Sequence, residues 1–192
     1  MTEDDILFLD TVDIELPPLC GTGYVLDIGG GGEGVIGRIE GLQVVAIDCR
    51  EDELIEAPEG PLKVVMDARD LQFLDGTFFA ATAFFSLMYF DDEAGLQATL
   101  AEVFRVLKPG GLFRVWDVDT STLPESSKPL FAVRIKFVVN GIASETAYGR
   151  PWPKQTRDHH YYSDLAEAAG FDHVDTEERG YTFCSTFRKQ EA

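Results

Sequence analysis

The residues with the plainest chemical capacity lie between Tyr24 and Arg38, in the run YVLDIGGGGEGVIGR, where Asp27 is followed by five glycines in six positions. Glycine loses more conformational freedom on folding than any other residue, so the cluster marks a backbone that turns tightly or approaches another group. A glycine-rich loop between a strand and a helix sits at the C-terminal edge of an α/β sheet, where backbone N–H groups face a ligand crevice. Asp48 closes the next strand-like run, nineteen residues after Gly29. At that point of such folds a carboxylate accepts hydrogen bonds from ribose hydroxyls. Loop and carboxylate together point to a nucleoside-containing ligand. The plainer reading is a tight turn, with Asp48 capping the next helix.

Gly29, Gly31 and Gly34 satisfy G-x-G-x-x-G, a spacing that also suits NAD or FAD. Asp27 argues against them, because a carboxylate just ahead of the loop repels a pyrophosphate and favours a cationic ligand. Only one βαβαβ half precedes a change of pattern, whereas dinucleotide folds use two. No Tyr-x-x-x-Lys pair is present. An NAD-dependent oxidoreductase therefore ranks last among the readings.

His159 and His160 are the candidate catalytic residues. An imidazole titrates near neutrality and suits a general base, and His159-His160-Tyr161-Tyr162 precedes the last predicted helix. The plainer reading makes them solvated loop residues. They lack partners at zinc-ligand spacing, and no metal is expected.

These residues need a scaffold. Tyr24 to Ile28, Val44 to Asp48, Leu62 to Met66, Ala80 to Met88 and Leu112 to Trp116 are short apolar runs that read as strands covered on both faces. Helical spacing of Leu96, Leu100, Val103, Phe104 and Leu107 fills the interval before the last of them, and Pro109 with the following glycines ends that helix. GVIGRIEG and EDELIEAP are shorter helix candidates. The alternation predicts an α/β, doubly wound, Rossmann-like parallel sheet. Beyond Trp116, Asn140-Gly141 marks a β-hairpin inserted after the fifth strand, YSDLAEAAGF a helix, and HVDTEER and YTFCSTFRK two closing strands. One domain is expected over 1–192, with an N-terminal extension (1–23), a cofactor-binding core (24–117), a hairpin or cap insertion (118–160) and a last helix with terminal strands (161–192).

A net charge of −18 disfavours nucleic acid and anionic membranes as partners. Three unpatterned cysteines suggest neither a disulfide framework nor a thiolate zinc site, and fit a reducing cytoplasm. The acidic N-terminus does not read as a secretory signal, and no apolar run is long enough to span a bilayer.

VLDIGGGGEG, VVAID, VVMDARDLQFLDGTF, FFSLMYF and EVFRVLKPGGLFRVWD, in this order, resemble the class I S-adenosylmethionine-dependent methyltransferases, in their small-molecule, type 11-like branch. The resemblance spans Val25 to Asp117 and implies a seven-stranded sheet with its last strand antiparallel. It implies S-adenosyl-L-methionine as cofactor, with Asp27 and the backbone of Gly29, Gly30 and Gly31 holding its methionine end and Asp48 its ribose. Asp67 and Ala68 would meet the adenine edge, and Phe85 and Ser86 would line the floor beside the sulfonium. The family's third loop glycine falls at Glu33 here, and Ser86-Leu87-Met88-Tyr89 replaces the Asn-Pro-Pro-Tyr of adenine- and glutamine-modifying relatives. The implied activity is methyl transfer to a small-molecule acceptor. The alternative is a cofactor-binding subunit or sensor that transfers nothing itself. The hairpin and the segment Trp152 to Tyr162 are read as the acceptor-side wall, or else as the edge of a homodimer.

Overall fold

The computed structural model describes residues 3–191. In chain order its elements are β1 (Ile6–Phe8), β2 (Val12–Ile14), β3 (Tyr24–Ile28), α1 (Val35–Glu40), β4 (Val44–Asp48), α2 (Glu51–Glu56), β5 (Leu62–Val65), β6 (Phe78–Phe84), α3 (Glu93–Val106), β7 (Leu107–Val118), β8 (Leu130–Val139), β9 (Ile142–Pro151), α4 (His159–Ala168), β10 (Phe171–Arg179) and β11 (Thr182–Lys189). The fold is α/β with a mostly parallel main sheet of order β10-β11-β7-β6-β3-β4-β5. β11 runs antiparallel to both its neighbours.

β3, β4 and β6 are buried almost throughout, the pattern of strands covered on two faces. On one face α3 and α4 lay Leu96, Leu100, Val103 and Tyr162 against Leu26, Phe113 and Phe187. On the other, Val35 and Ile36 of α1 share a core with Val25, Ala46, Phe84 and Trp116, and a second sheet completes the cover with Phe131, Val133 and Ile135.

That second sheet is the β8–β9 hairpin plus two strands from the N-terminal segment. Asn140 (φ 52°) and Gly141 (φ 79°) make its turn, both with the positive φ that a two-residue hairpin turn of this kind requires. β1 and β2 pair in parallel with β8, so residues 6–14 act as structural strands rather than as a free extension. The alternation of Val12 and Ile14 (buried) with Asp13 (exposed) explains why this segment lies on a sheet.

Two boundaries differ from the sequence expectation. α3 ends at Val106 and β7 begins at Leu107, so Lys108 to Gly111 lie within the strand. Leu107 pairs with Phe78 and Leu112 with Ala80, and the residues between form a bulge with Gly110 at φ 75°. His159 and His160 open α4, capped by the Asp158 carboxylate, which accepts from Tyr161 N (2.8 Å). Among the described residues no helix is long and apolar enough to cross a membrane.

The 66–77 connection between β5 and β6 carries no helix and hangs on one side chain of α3. Arg105 Nη1 donates to Phe73 O (2.8 Å) and Asp75 Oδ1 (2.7 Å), and Nη2 to Leu71 O (2.7 Å) and Glu102 Oε2 (2.7 Å). Glu102 Oε2 also accepts from Leu71 N (2.7 Å), and the Arg105 guanidinium holds the Glu102 carboxyl below its ordinary pKa. Arg105→Met should lower stability by about 1–3 kcal/mol, the size of charge-assisted bonds lost from partly buried partners. Amide exchange should accelerate at 71–75 before the rest of the sheet; uniform acceleration would show that the arginine does not anchor this loop.

Candidate active site

Asp27, the penultimate residue of β3, lies between β4 and β6 and is only 3% exposed. Thr82 Oγ1 donates to its Oδ1 (2.8 Å). Burial pushes its pKa from the ordinary 3.8 up to about 7, opposed by the Thr82 bond and reinforced by the Asp48 charge. A Cβ at Gly30 would lie 2.7 Å from Asp27 Oδ2 and 2.8 Å from the Ala46 methyl. Glycine is therefore the residue this carboxylate tolerates above it.

The loop amides are partly committed inside the protein. Gly29 N and Gly30 N both donate to Ile47 O (2.9 and 3.0 Å), Gly32 N to Glu53 O (2.8 Å) and Gly34 N to Gly31 O (3.1 Å). What Gly29 and Gly30 offer a ligand is thus carbonyl oxygen, which suits a cationic amino group. Gly29 (φ 69°) lies against Ser86, where a Cβ would come within 2.4 Å of the serine Cβ. Gly31 is tight for a different reason from the one its motif suggests: a Cβ there would lie 2.5 Å from Glu53 Cβ and 3.0 Å from Asp48 Oδ2. Its bareness lets the loop pack on α2.

The remaining predicted residues gather at the same sheet edge. Asp48 Oδ1 accepts from Arg50 N (2.9 Å), and Met66 N donates to Asp48 O (2.9 Å), which sets the ends of β4 and β5 side by side. Asp67 is chelated by Arg69 through Nε (2.9 and 3.0 Å) and Nη2 (2.6 Å), and its pKa falls as a result. Ala68 follows, half-buried. Phe85 is fully buried with φ 51°, a conformation costly for a bulky residue, and Ser86 Oγ donates to Ile28 O (2.6 Å).

The hairpin reaches this edge from above. Tyr148 of β9 stacks on Phe85 (centroids 4.9 Å, planes 7° apart). Its hydroxyl meets Glu33 Oε2 at 3.5 Å, and Thr146 Oγ1 bonds Glu33 Oε1. Glu33, which stands where the related family has its third loop glycine, thus ties the loop to the hairpin. Trp152 does not join this wall. Its Nε1 donates to Lys128 O (2.8 Å) and its ring packs on Phe131 (5.2 Å) in the second sheet.

The structure does not bring the two histidines to the glycine loop. His159 Nε2 pairs with Glu178 Oε1 (2.8 Å) on β10, the outermost strand, and His160 is exposed beside it, ring centroids 3.9 Å apart. One turn further along α4, Tyr162 instead points inward, toward Asp117 at the end of β7. Asp117 is fully buried; its Oδ1 accepts from Val118 N (2.7 Å), and burial pushes its pKa up to about 7 against the Val118 and Met88 amides, the Tyr162 hydroxyl and the Arg157 charge. Sequence reasoning carried this aspartate only as the last residue of EVFRVLKPGGLFRVWD and gave it no role; a charged residue at the end of an apolar strand run was the available signal.

A well-formed groove lies elsewhere. This groove of about 770 Å³ opens between the second sheet and β7, β11 and β10, lined by Ile14, Arg114, Trp116, Phe137 and Cys184 among others, and holds none of the predicted site residues.

An open, mostly parallel sheet with β11 inserted antiparallel beside β7, a glycine loop after its central strand and carboxyl groups at the ends of β3 and β4 is the architecture that the resemblance to the class I methyltransferases implies. Residues 26–115, just under half of the chain, match the family model of a methyltransferase domain. A 61-residue stretch is 44% identical to a demethylmenaquinone methyltransferase from Corynebacterium kroppenstedtii, covering 32% of this chain and 25% of that enzyme. The chain thus spans about a quarter of that relative's length. Among solved structures, a SAM-dependent methyltransferase from Methanosarcina mazei is 18% identical with TM-score 0.68, over 93% of this chain and 100% of that one. The 4+2 cyclase SpnF is 20% identical with TM-score 0.63, over 91% and 78% of the two chains.

S-adenosylmethionine fits the residues present. Its ammonium group suits a buried carboxyl whose pKa burial raises to about 7 and whose Oδ1 already accepts from Thr82.

The raised pKa has a consequence for stability. The folded chain holds the Asp27 proton more tightly than the unfolded chain, so this group's stabilisation is complete below about pH 4 and is lost as pH rises to about 7. Asp117 acts in the same direction. Asp27→Asn should therefore match wild type near pH 4 and exceed it in melting temperature at pH 8. Parallel melting curves across that range would show that Asp27 is not held protonated.

Proposed function

We propose that the chain transfers a methyl group from S-adenosylmethionine to a small-molecule acceptor. The observation that carries this reading is the buried Asp27 carboxyl at the glycine loop, a site made for a cation next to groups suited to a nucleoside. In this reading Asp27 and the Gly29 and Gly30 carbonyls receive the ammonium group, with Gly31 keeping the loop on α2. Asp48 takes the ribose hydroxyls, Asp67 and Ala68 border the adenine, and Phe85 and Ser86 form the floor at the methyl.

The cofactor supplies an electrophilic methyl on a sulfonium, already a good leaving group. What remains for the protein is alignment and exclusion of water. Tyr148 on Phe85 and the Glu33 contacts close the hairpin over the loop and do the second. A hydroxyl or amine acceptor must also lose a proton. Asp117, with a pKa near 7 at the end of β7, is the base this geometry favours over the His159–His160 pair held at β10.

Calorimetry with S-adenosylmethionine and S-adenosylhomocysteine tests the cofactor, and a labelled-methyl screen tests transfer. Asp48→Ala should weaken both ligands alike, by about 1–3 kcal/mol, since ribose contacts do not see the methyl group. Binding without transfer to any acceptor would favour the subunit or sensor reading, and no binding to a folded sample would end the proposal. With an acceptor in hand, Asp117→Asn should lower turnover while the double change His159→Ala, His160→Ala leaves it; the reverse pattern would assign the base to the histidines.

A further inference from the structure

Between β9 and the turn after β6, two arginines converge where the sheet edge meets Asp117. Arg157 is 4% exposed, and its Nη1 donates to Phe90 O (2.9 Å). Arg150, whose side chain is 10% exposed, sends Nη1 to the same carbonyl oxygen (3.3 Å). Arg150 Nε also donates to Pro151 O (3.0 Å), so the two cations share one neutral carbonyl and Arg150 has a second. The other charge partner of Arg150 is Asp91 (3.6 Å), a carboxylate 94% exposed and well screened by water. Arg157 forms no ion pair among the described residues, and its Nε is buried without any partner.

Among the described residues, three of the five buried polar side-chain atoms without a well-aligned hydrogen bond sit in this cluster: Arg157 Nε, Asp117 Oδ2, near the Met88 amide and the Tyr162 hydroxyl, and Tyr161 Oη, near Gln155 and Glu93. The ring of Tyr161 lies 5.7 Å from the Arg157 guanidinium. Buried polar groups are nearly always satisfied in folded proteins, so a concentration of poorly bonded ones at one place marks where a ligand's groups belong. Two nearly dehydrated guanidiniums side by side also repel each other: burial, then the Arg157 charge, lowers the Arg150 pKa. An anion between them removes both penalties, and a guanidinium's flat fork of donors fits a carboxylate.

We propose that Arg150 and Arg157 form an anion subsite on the acceptor side of the site, so that the acceptor is a small carboxylate-bearing molecule whose hydroxyl or amine is turned toward Asp117. The proposal rests on the methyl-transfer reading for the word acceptor. In the reaction it implies, the nucleophile's lone pair forms the bond to the methyl carbon, the carbon–sulfur pair stays with sulfur, and the nucleophile's proton passes to Asp117. The flanking side chains suit a flat body: Tyr89 is half-exposed with its hydroxyl at the Gly149 amide, next to Arg150, and Phe90 is half-buried.

The test needs no turnover. 4-Hydroxybenzoate is titrated into the full chain by NMR, with 4-hydroxybenzamide as the neutral control and inorganic phosphate as a second anion. The carboxylate should bind saturably and shift signals of Tyr89, Gly149 and Arg150, and the amide should bind at least about tenfold more weakly, as expected where charge-assisted bonds dominate. Arg150→Gln, a change at a side chain that reaches the surface, should cost the carboxylate a similar factor and leave S-adenosylhomocysteine affinity unchanged. Arg157→Gln should do the same if it folds. Equal binding of amide and carboxylate, or undiminished carboxylate affinity in Arg150→Gln, would overturn the subsite, and binding of phosphate without carboxylate would overturn the ligand class. Failure of the wild type to bind S-adenosylhomocysteine would strike the methyl-transfer reading and leave the anion result standing by itself.

Discussion

A carboxyl group buried at the end of the central strand is the constraint around which this molecule is arranged. Leaving Asp27 charged and dry would be costly, and no basic side chain forms an ion pair with it among the described residues. Burial instead raises its pKa to about 7, and the carboxyl accepts one side-chain bond. That bond comes from Thr82, which sits opposite Asp27 in the β3–β6 register, while Ala46 sits opposite on β4. Small residues on both neighbouring strands and Gly30 above are conditions for the carboxyl to fit. Strand order, register and loop composition thus answer to one functional group.

The second sheet determines how that group is enclosed. Residues 6–14 and the β8–β9 hairpin cover the face beside α1, and the hairpin ends over the glycine loop through Glu33, Thr146 and Tyr148. Arg38 of α1 donates to Ser144 Oγ (3.0 Å), and Asn140 Nδ2 to Arg38 O (3.3 Å), so the same hairpin is fastened to the helix that follows the loop. Loop, helix and hairpin form one connected piece. Phe85 shows the cost of that closure. It holds a positive φ at the end of β6, and the Tyr148 ring lies flat on it.

The parts of the fold that were legible in the sequence are those with a local signature. Buried strands announce themselves as apolar runs, Asn140-Gly141 as a hairpin turn, and the glycine run as the turn between β3 and α1. What was illegible depended on contacts distant in sequence. Three-residue strands such as Ile6–Phe8 are too short for periodicity to register, and their partner lies more than a hundred residues on. The Lys108–Gly111 run reads as a helix stop, and its place inside β7 follows from pairing with β6, which no local pattern reveals. Gly31 was recognisable as a residue that must be bare, but the partner it is bare for, Glu53, was not. Asp117, Arg150 and Arg157 come from a strand end, a hairpin arm and a loop, and only the folded chain makes them neighbours.

Charge placement gives the site a direction. Carboxylates cluster where the ends of β3, β4 and β5 meet, at Asp27, Asp48 and Asp67, whereas the strongest positive character lies past β6, at Arg150 and Arg157. The rest of the surface is acidic, with a net charge of −18. Such a field slows the approach of anions at low salt and concentrates cations, but it is screened beyond about 8 Å at physiological ionic strength. The buried arginines are shielded from solvent and screened far less. An anionic ligand is therefore selected at contact rather than by long-range steering. A protein of this charge with an inward-facing arginine pair is suited to distinguishing among small molecules that already reach its edge, and the acidic shell outside adds a penalty for the larger polyanions that the same pair would otherwise attract.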